Sequence, residues 1–421
     1  MLELLRHNRN VALVVTARFL ARMGGEAAFF IGVWGMAAYR FQATPAELAT
    51  VMASLAVASM IGAAISGLLI DRYGPRNVLL GAQFVYAPTA IAMTLTTSLP
   101  QLVVGCVVFG LSVAPIMTAT SSFAPYLSDD PDQYVTLNSL LEGVGALSFV
   151  VGPAIGAIMA KTISIQSVFW LDAAMTLIGA ALVWPVHTPP MARPAEKKHP
   201  LREITDGFRI AYGIRSVRYY VLMGTVVWMS FGAFGALEPL FYRDVVKTGV
   251  ETIGWVNSIF GAGIGLGALA LTRLPGRVTS ARGLAIGVAL VGVGAVMYIG
   301  TTDLVIIAIG AFVWGALIGG IEPMLRTLMQ VDAPEEYLGR IMGTSQIHRS
   351  AGELVPLAMA PALAAAFGVQ AVLIGGGILA AIIALSTLPI AASIDRTRTS
   401  IPGRISVVQA LPDDEPISPI T

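Results

Sequence analysis

The chain contains about twelve apolar stretches, each of a length that can cross a lipid bilayer as a helix. A spanning helix needs about 20 predominantly apolar residues. The stretches lie near residues 11–38, 47–70, 77–98, 101–126, 134–161, 166–186, 217–244, 252–272, 282–300, 303–327, 340–366 and 370–392. This pattern predicts an all-α membrane protein with about twelve transmembrane helices.

The composition excludes several other classes of protein. Of 421 residues, 56% are hydrophobic and 12% are charged, against about 25% charged in an ordinary soluble domain, and the mean hydropathy is +0.76. The single cysteine, Cys106, excludes an internal disulfide and any multi-cysteine metal site. A net charge of +1 gives no reason to expect a nucleic-acid partner. With no recognisable nucleophile arrangement, we expect neither an enzyme nor a bound metal or cofactor.

One long polar connection divides the predicted spans six and six. The predicted organisation is a first six-helix bundle at residues 1–186, a cytoplasmic linker at 187–216, a second bundle at 217–392 and a disordered cytoplasmic tail at 393–421. Within the linker, Leu201, Ile204, Phe208 and Ala211 recur at helical spacing between charged residues. This pattern indicates either an amphipathic helix on the membrane surface or a plain linker helix.

The basic residues indicate how the chain is oriented. Nineteen of the 26 Lys and Arg residues fall on one side of the predicted spans and four on the other, while Arg18, Arg22 and Arg349 lie inside spans. Because basic residues concentrate in cytoplasmic loops, both termini and the linker are predicted to be cytoplasmic. The first apolar stretch is longer than a signal-peptide core, so we expect a retained span in the inner (plasma) membrane and no cleaved leader.

The two halves look like copies of one unit. Arg9-Asn10-Val11 enters the first span as Arg215-Ser216-Val217 enters the seventh, and Gly152-Pro153-Ala154-Ile155 in the fifth matches Ala360-Pro361-Ala362-Leu363 in the eleventh. Two similar bundles can rock about a site at their interface. The repeat therefore predicts two pseudo-symmetric six-helix bundles and a transporter that works by alternating access.

The turn between the second and third spans reads Gly67-Leu68-Leu69-Ile70-Asp71-Arg72-Tyr73-Gly74-Pro75-Arg76. It resembles the helix 2–3 loop of the major facilitator superfamily, roughly G-x-L-x-D-R-x-G-R-[RK]. The positions that fit are Gly67, Leu69, Asp71, Arg72, Gly74 and Arg76, whereas Pro75 departs from the motif. Gly67 would let a neighbouring helix come close, Asp71 would face a helix N-terminus, and Gly74 would make the turn. The alternative is an ordinary charged turn.

The fifth span carries a second motif around Gly152, Pro153 and Gly156. It resembles the antiporter motif of drug-exporting facilitators, g-x-x-x-G-P-x-x-G-G, and the resemblance implies export coupled to proton entry. Leu338-Gly339-Arg340-Ile341-Met342-Gly343 resembles the entry to helix 11 in the branch of macrolide and tetracycline-type exporters. Leu102 to Ala124 lacks the arginine that many proton-coupled exporters carry in helix 4. Alternatively, Gly152 and Pro153 would serve only the close packing of the fifth span against its neighbours.

Charged residues inside the spans are the candidate coupling groups, because each costs about 2.5 to 3.5 kcal/mol to insert at the bilayer centre. The proton-coupling candidates are Glu26, Glu142 and Glu353. Arg22 and Glu142 lie at similar depths and are expected to pair, with Glu26 as the other possible partner. The alternative is a set of neutral ion pairs that hold helices together. Glu238 with Arg243, and Glu322 with Arg326, are expected to be local pairs or gate contacts, with substrate binding as the alternative. Asp172 is expected at the membrane interface.

Other residues are candidates for the substrate cavity, which in the superfamily is lined by helices 1, 4, 7 and 10. The arginines Arg18, Arg22 and Arg349 would suit an anionic substrate. The candidate aromatic lining residues are Phe29, Phe30, Trp34, Trp228, Phe231 and Phe234. Contact with lipid is the alternative role for these rings.

The predicted function is proton-driven export of amphipathic small molecules such as drugs, by a monomer in the lipid bilayer. One alternative is export or flipping of a specific anionic metabolite, siderophore or lipid. From another class, the chain would be a non-transporting membrane sensor, although it has no soluble signalling domain.

Overall fold

A computed structural model of the protein describes residues 8–128, 133–186, 200–274, 278–334 and 337–399. These ranges contain helices and turns but no strand. The helices are α1 (Arg9–Ala27), α2 (Pro45–Thr94), α3 (Leu99–Ser121), α4 (Ala124–Leu127), α5 (Gln133–Thr162), α6 (Ser167–Val183), α7 (Pro200–Gly213), α8 (Arg215–Leu240), α9 (Val250–Leu271), α10 (Ala281–Ile299), α11 (Leu304–Asp332), α12 (Leu338–Phe367), α13 (Val369–Ser386) and α14 (Leu388–Thr399).

All twelve predicted spans are largely helical. Among the described residues, nine helices are long and apolar enough to cross a membrane, and one of these, α2, contains two predicted spans. The remaining two spans are α1, which carries four charged residues, and α6, which has 17 residues. The prediction of an all-α membrane protein is therefore confirmed.

The second and third spans meet at a single residue. Gly74 is the only non-helical residue inside α2, with φ 77° and ψ 158°. This backbone conformation is essentially restricted to glycine, because a Cβ atom would clash with the adjacent peptide groups. Pro75 follows it at the start of the third span, where a missing backbone N–H costs nothing.

Two spans end in π-helical turns. The first continues beyond α1 as π-helical segments at Ala28–Val33 and Met36–Arg40, and the seventh continues beyond α8 as one at Phe241–Val246. A π-helical turn bonds residue i to i+5, so it changes which side chains share a face of the helix.

The helices pack with the same pattern in both halves, residues 8–186 and 215–399. In the first half α1 contacts α5 and α6, and in the second half α8 contacts α12 and α13. Likewise α2 packs on α3 as α9 packs on α11, and α2 packs on α6 as α10 packs on α13. The halves meet along two seams that correspond in the same way, α5 with α9 and α2 with α12.

The linker forms a helix that packs on the second half. An added Cβ on Gly207 of α7 would lie 2.8 Å from the Arg340 carbonyl oxygen, which shows how closely the two backbones approach. Asp206 pairs with Arg340 at 3.5 Å, and the Tyr212 hydroxyl lies 2.7 Å from Nε2 of His348. The helix predicted within the linker is thus present as α7, and its side chains bind α12. The rest of the predicted linker, residues 187–199, lies outside the described residues.

The disordered tail was predicted to begin at residue 393. This boundary is too early, because α14 extends to Thr399. Asp395 accepts hydrogen bonds from the backbone N–H groups of Ala281 (2.8 Å) and Arg282 (3.1 Å), at the start of α10. Arg398 pairs with the nearly buried Asp332 at 3.0 Å. These contacts hold the segment as a helix, which the proline content further along the tail did not indicate. Residues 400–421 lie outside the described ranges.

Replacing Asp395 with alanine is expected to lower the stability of the second half by about 1 kcal/mol, because two N–H groups at a helix N-terminus lose their acceptor. Thermal unfolding of the detergent-solubilised protein would show a lower Tm. Arg282→Ala is the control, since it removes the exposed ion pair with Asp395 (3.2 Å) but not the backbone hydrogen bonds. Equal losses in both variants would contradict the capping role.

Candidate functional site

The charged residues of α1 form a row of ion pairs in the first half. Nη2 of Arg18 lies 2.9 Å from Oε1 of Glu142 on α5, and Nε of Arg22 lies 3.2 Å from Oε1 of Glu26 one turn further along α1. The expected pairing of Arg22 with Glu142 is therefore wrong by one helical turn, because the relative height of α1 and α5 brings Arg18 to that carboxylate. The prediction of Glu26 as the other available carboxylate agrees with the structure.

Glu142 is the exposed member of this row. Its side chain is 73% exposed, whereas that of Arg18 is 6% exposed. A charged carboxylate at membrane depth faces a water-filled space and not lipid. We therefore place Glu142 on the surface of a central aqueous space between the halves.

A second ion pair lies in the other half. Nη1 of Arg349 on α12 lies 2.9 Å from Oε1 of Glu322 on α11, and its guanidinium carbon lies 3.6 Å from the centre of the Trp228 ring on α8. The expected local pair of Glu322 with Arg326 is thus wrong, since a partner on the neighbouring helix takes the carboxylate. Glu353 makes no ion pair within the described part of the chain.

Glu238 is buried in α8 and is held by neutral groups. Its Oε1 accepts hydrogen bonds from the Tyr298 hydroxyl at 2.7 Å and from the Asn257 amide at 3.2 Å. The Tyr298 hydroxyl also lies 2.6 Å from that of Tyr242. The expected pair with Arg243 is wrong, because residues five apart lie about 140° from each other around a helix, and Arg243 binds Asp244 and the carbonyl oxygens of Ala38 and Ala43 instead.

Aromatic side chains form a continuous series of contacts from one half to the other. Phe30 contacts Phe149 of α5 (ring centroids 5.3 Å apart), and Phe149 contacts Phe260 of α9 (6.1 Å). The series continues through Trp314 of α11, whose ring centroid lies 5.1 Å from that of Phe260. The other ring contacts are Phe29 with Phe30 and Trp34, Phe30 with Trp34, Trp228 with Phe231, and Phe231 and Phe234 with Trp314.

All six predicted aromatic residues thus belong to this cluster, and Phe30, Trp34 and Phe234 are buried. Four further members, Phe149, Phe260, Tyr298 and Trp314, were not predicted. Each lies on a different helix, and only the packing of these helices brings the rings together.

The ends of the seams show which side of the molecule is closed. At the end of the first span, the carbonyl oxygens of Ala38 and Ala43 accept hydrogen bonds from Nη1 of Arg243 at 2.6 and 3.1 Å. Arg243 belongs to the second half, so these bonds join the halves. On this side, hereafter the Arg243 side, the central space is closed.

The opposite end, hereafter the Asp71 side, is open. An added Cβ at Gly67 would meet no atom within 4 Å, and Leu68 is 73% exposed. Asp71 is exposed and makes no hydrogen bond or ion pair with any described residue. The expected close approach of a helix at Gly67, and the expected contact of Asp71, are therefore absent in this conformation. Arg72 lies over the Tyr73 ring, and Arg76 donates a hydrogen bond to the Trp184 carbonyl.

The motif in α5 lies at the contact between α5 and α1. An added Cβ on Gly152 would lie 2.5 Å from the Met23 carbonyl oxygen and 2.9 Å from Cβ of Glu26. On Gly156, the next small residue, it would lie 2.9 Å from the Ile31 side chain. Pro153 faces Gly254 of α9 across the seam between the halves. Small residues here permit close helix packing on two sides of α5.

Asp172 was expected at the membrane interface, and this expectation is wrong. The residue is completely buried in α6, and its Oδ2 accepts a hydrogen bond from the Tyr86 hydroxyl of α2 at 2.9 Å. Its position near one end of a span suggested exposure, but α1 packs directly over it. No group of three or more His, Cys, Asp or Glu side chains in the described ranges could hold a metal ion.

Comparisons with known proteins agree on the type of molecule. A sequence model of the Major Facilitator Superfamily matches residues 14–357 and, in a second overlapping match, residues 222–405. The uncharacterized MFS-type transporter YfiS of Bacillus subtilis (strain 168) is 23% identical over 91% of this chain and 94% of its own length. Multidrug efflux pump Tap of Mycolicibacterium fortuitum is 23% identical over 85% and 90%, and macrolide efflux protein A of Enterococcus faecalis is 22% identical over 51% and 68%.

Solved structures resemble the fold at low sequence identity. A variant of the nucleoside transporter NupG superposes with a TM-score of 0.76 at 13% identity, over 90% of this chain and 99% of the other. A variant of the peptide transporter POT gives a TM-score of 0.74 at 14% identity, over 93% and 96%. The fold is thus shared with these structures.

Proposed function

Because the chain belongs to the major facilitator superfamily and is a multi-pass membrane transporter, we propose that it exports amphipathic small molecules, including drugs, in exchange for protons. The Asp71 side would face the cytoplasm of a cell whose inner (plasma) membrane holds the protein as a monomer. Substrate would enter the central space from that side. The names of two relatives, a macrolide efflux protein and a multidrug efflux pump, support export of this class of compound.

The observation that carries the proposal is the aromatic cluster that joins both halves beside two ion pairs. Aromatic rings bind apolar and planar groups with little demand on their exact shape. Glu142 and Glu322 are exposed and would carry the charges that a polar or cationic end of a substrate contacts. Such a surface suits an amphipathic molecule.

The ion pairs also bear on the anionic alternative. Arg18, Arg22 and Arg349 each lie within 3.2 Å of a carboxylate oxygen, so their charges are already compensated. An anion would have to displace a carboxylate from its guanidinium partner. The pairing therefore favours a cationic or neutral amphiphile over an anionic metabolite, siderophore or lipid.

Proton exchange would occur at Glu142. Its ion pair with Arg18 is accessible from the Asp71 side, so a proton carried by this carboxyl can leave to water there while Arg18 stabilises the charge left behind. Glu26 and Glu353 are further candidates, Glu26 because it shares α1 with Arg18 and Glu353 because it lies one turn from Arg349.

The test uses inside-out vesicles that contain the protein and a pH-sensitive dye under an imposed proton gradient. Ethidium, erythromycin and taurocholate would serve as cationic, macrolide and anionic probes. We expect ethidium or erythromycin to trigger proton movement in the wild type and not in Glu142→Gln. Glu251→Gln is the matched control, because Glu251 lies on the Arg243 side in the first turn of α9 and should keep wild-type coupling.

Proton movement triggered by taurocholate alone would contradict the proposed substrate class and favour the anionic alternative. An absence of movement with all three probes, in protein shown to be folded, would contradict proton-coupled export. It would leave an uncoupled carrier or a sensor.

A further inference from the structure

We propose that Asp172 is a proton-binding site inside the first half, separate from the central space, and that its proton favours the conformation described above. This inference rests on the proposed proton coupling and adds a residue that lies outside the substrate cavity. It follows from the ion pairs made by α1 and from the contacts of Asp172.

The ion pairs made by α1 leave the buried Asp172 without a cation. Arg18 and Arg22 supply two positive charges, and the acidic groups around them are Glu26, Glu142 and Asp172. Each arginine pairs with one glutamate. Asp172 is left without a cation among the described residues, so one proton on its side chain makes the set electrically neutral.

Among the described residues, no cation forms an ion pair with Asp172. On α1, Arg22 and Glu26 flank Gly24, which packs against Asp172, and on α2, Gln83 precedes Tyr86 by one turn. From α5, which also touches α6, the charged residues are Glu142, bound to Arg18, and Lys161 at the far end of the helix. Tyr86 supplies one hydrogen bond to Oδ2, while Oδ1 is buried with no hydrogen-bond partner in the described structure.

A carboxylate in this position would be unstable, because a buried charge needs a partner or several hydrogen bonds. A neutral carboxylic acid at the same place needs only the single hydrogen bond that Tyr86 provides. The geometry therefore assigns the protonated form of Asp172 to the conformation that is open on the Asp71 side.

A small cavity lies beside Tyr86, the hydrogen-bond donor to Asp172. It has a volume of about 30 Å³, and its wall includes Arg22, Gly25, Gln83 and Tyr86. This space is enough for about one water molecule, and Oε1 of Gln83, which is buried beside it, has no hydrogen-bond partner among the described residues. A proton that reaches the Tyr86 oxygen from the cavity allows Tyr86 to pass its own hydroxyl proton to Oδ2. The tyrosine stays neutral and the aspartate becomes an acid.

The contact between Asp172 and α1 connects this proton to movement of the helices. An added Cβ on Gly24 would lie 2.8 Å from Cα of Asp172 and 3.0 Å from its Oδ1. The unpaired oxygen thus lies directly against the α1 backbone, two residues from Glu26. When Asp172 loses its proton, the carboxylate needs a new partner, and a shift of α6 against α1 is the movement that would supply one. Deprotonation is therefore expected to favour the other conformation.

The test follows the conformation as a function of pH without a substrate. Spin labels at Ala46 and Thr302, both exposed on the Arg243 side of different halves, would report opening there, with Cys106 replaced by serine. In the wild type we expect the ratio of open to closed molecules to rise with pH, by up to about tenfold per pH unit for one proton. Asp172→Asn, which mimics the neutral acid, should keep the low-pH ratio of open to closed molecules at every pH.

Two further variants separate proton binding from packing. Asp172→Glu keeps an ionisable group and should keep the pH dependence with a shifted midpoint. Ser167→Ala removes a buried, uncharged polar group from the same helix and should behave like the wild type. A pH dependence that persists unchanged in Asp172→Asn would overturn the proposal, as would its absence from the wild type.

A second measurement distinguishes this inference from the proposed function. In proteoliposomes, Asp172→Asn should still exchange ethidium across the membrane at equal concentrations but should not accumulate it against a gradient. If wild-type protein moves neither ethidium nor protons, the proposed function fails while the spin-label result still decides the role of Asp172. Wild-type accumulation in Asp172→Asn would contradict the inference alone.

Discussion

Replacing Gly152 with alanine is expected to abolish most transport and to destabilise the first half, although alanine is normally the better helix former. The new methyl group would lie 2.5 Å from a backbone oxygen and 2.9 Å from Cβ of Glu26 on α1. Neither atom is at the flexible end of a side chain, so the helices would have to separate. Overpacking of this kind costs about 1 to 3 kcal/mol, and it would also displace the Arg22–Glu26 pair.

Gly143 offers a matched control on the same helix. An added Cβ there would meet no atom within 4 Å, so Gly143→Ala should keep transport and gain up to about 1 kcal/mol from helix propensity. Ethidium efflux from cells and thermal unfolding in detergent would measure both effects. If the two variants behaved alike, close packing of α5 on α1 would not explain the glycine in this motif.

Removing the side chain of Arg243 is expected to open the side of the molecule that is closed here. The guanidinium group donates to two carbonyl oxygens of the opposite half, at 2.6 and 3.1 Å. Hydrogen bonds that involve a charged group contribute about 1.5 to 3 kcal/mol each. Losing even one of them would change the ratio of the two conformations by roughly tenfold or more, since about 1.4 kcal/mol corresponds to a factor of ten. Spin labels at Ala46 and Thr302 would detect the change in Arg243→Ala.

The neighbouring residue supplies the control for Arg243. Asp244 binds Nε and Nη2 of Arg243 but lies in the same half, so Asp244→Asn leaves both bonds to the opposite half in place. It should therefore change the distance distribution little. A closed Arg243 side in Arg243→Ala would show that the seams, and not this side chain, hold the halves together.

The sequence predicted the helices better than it predicted the ion pairs between them. Apolar length fixes where spans begin and end, and the repeated Gly-Pro motif marks equivalent helices in the two halves. By contrast, a pair such as Arg18 with Glu142 depends on the relative height and rotation of two helices. An error of one turn, about 5.4 Å along the axis, exchanges Arg18 for Arg22.

Contacts between distant parts of the chain account for the other errors. Glu238 and Arg243 are five residues apart, about 140° around a helix, and their hydrogen-bond partners Tyr298 and Ala38 lie far away in sequence. Asp172 has no charged neighbour in sequence, and its nearest hydrogen-bond donor, Tyr86, is 86 residues away along the chain. Nothing in the periodicity of either segment indicates that contact.

The single-residue turn at Gly74 has a mechanical consequence. With one non-helical residue between them, the second and third spans have almost no slack, so they behave as a rigid hairpin whose two arms shift in concert. One arm belongs to the seam with α12, and the other carries Tyr86 against Asp172. A rigid hairpin therefore couples the seam with α12 to the contact between Tyr86 and Asp172. Separation of the halves at that seam would move Tyr86 relative to the buried carboxyl group of Asp172.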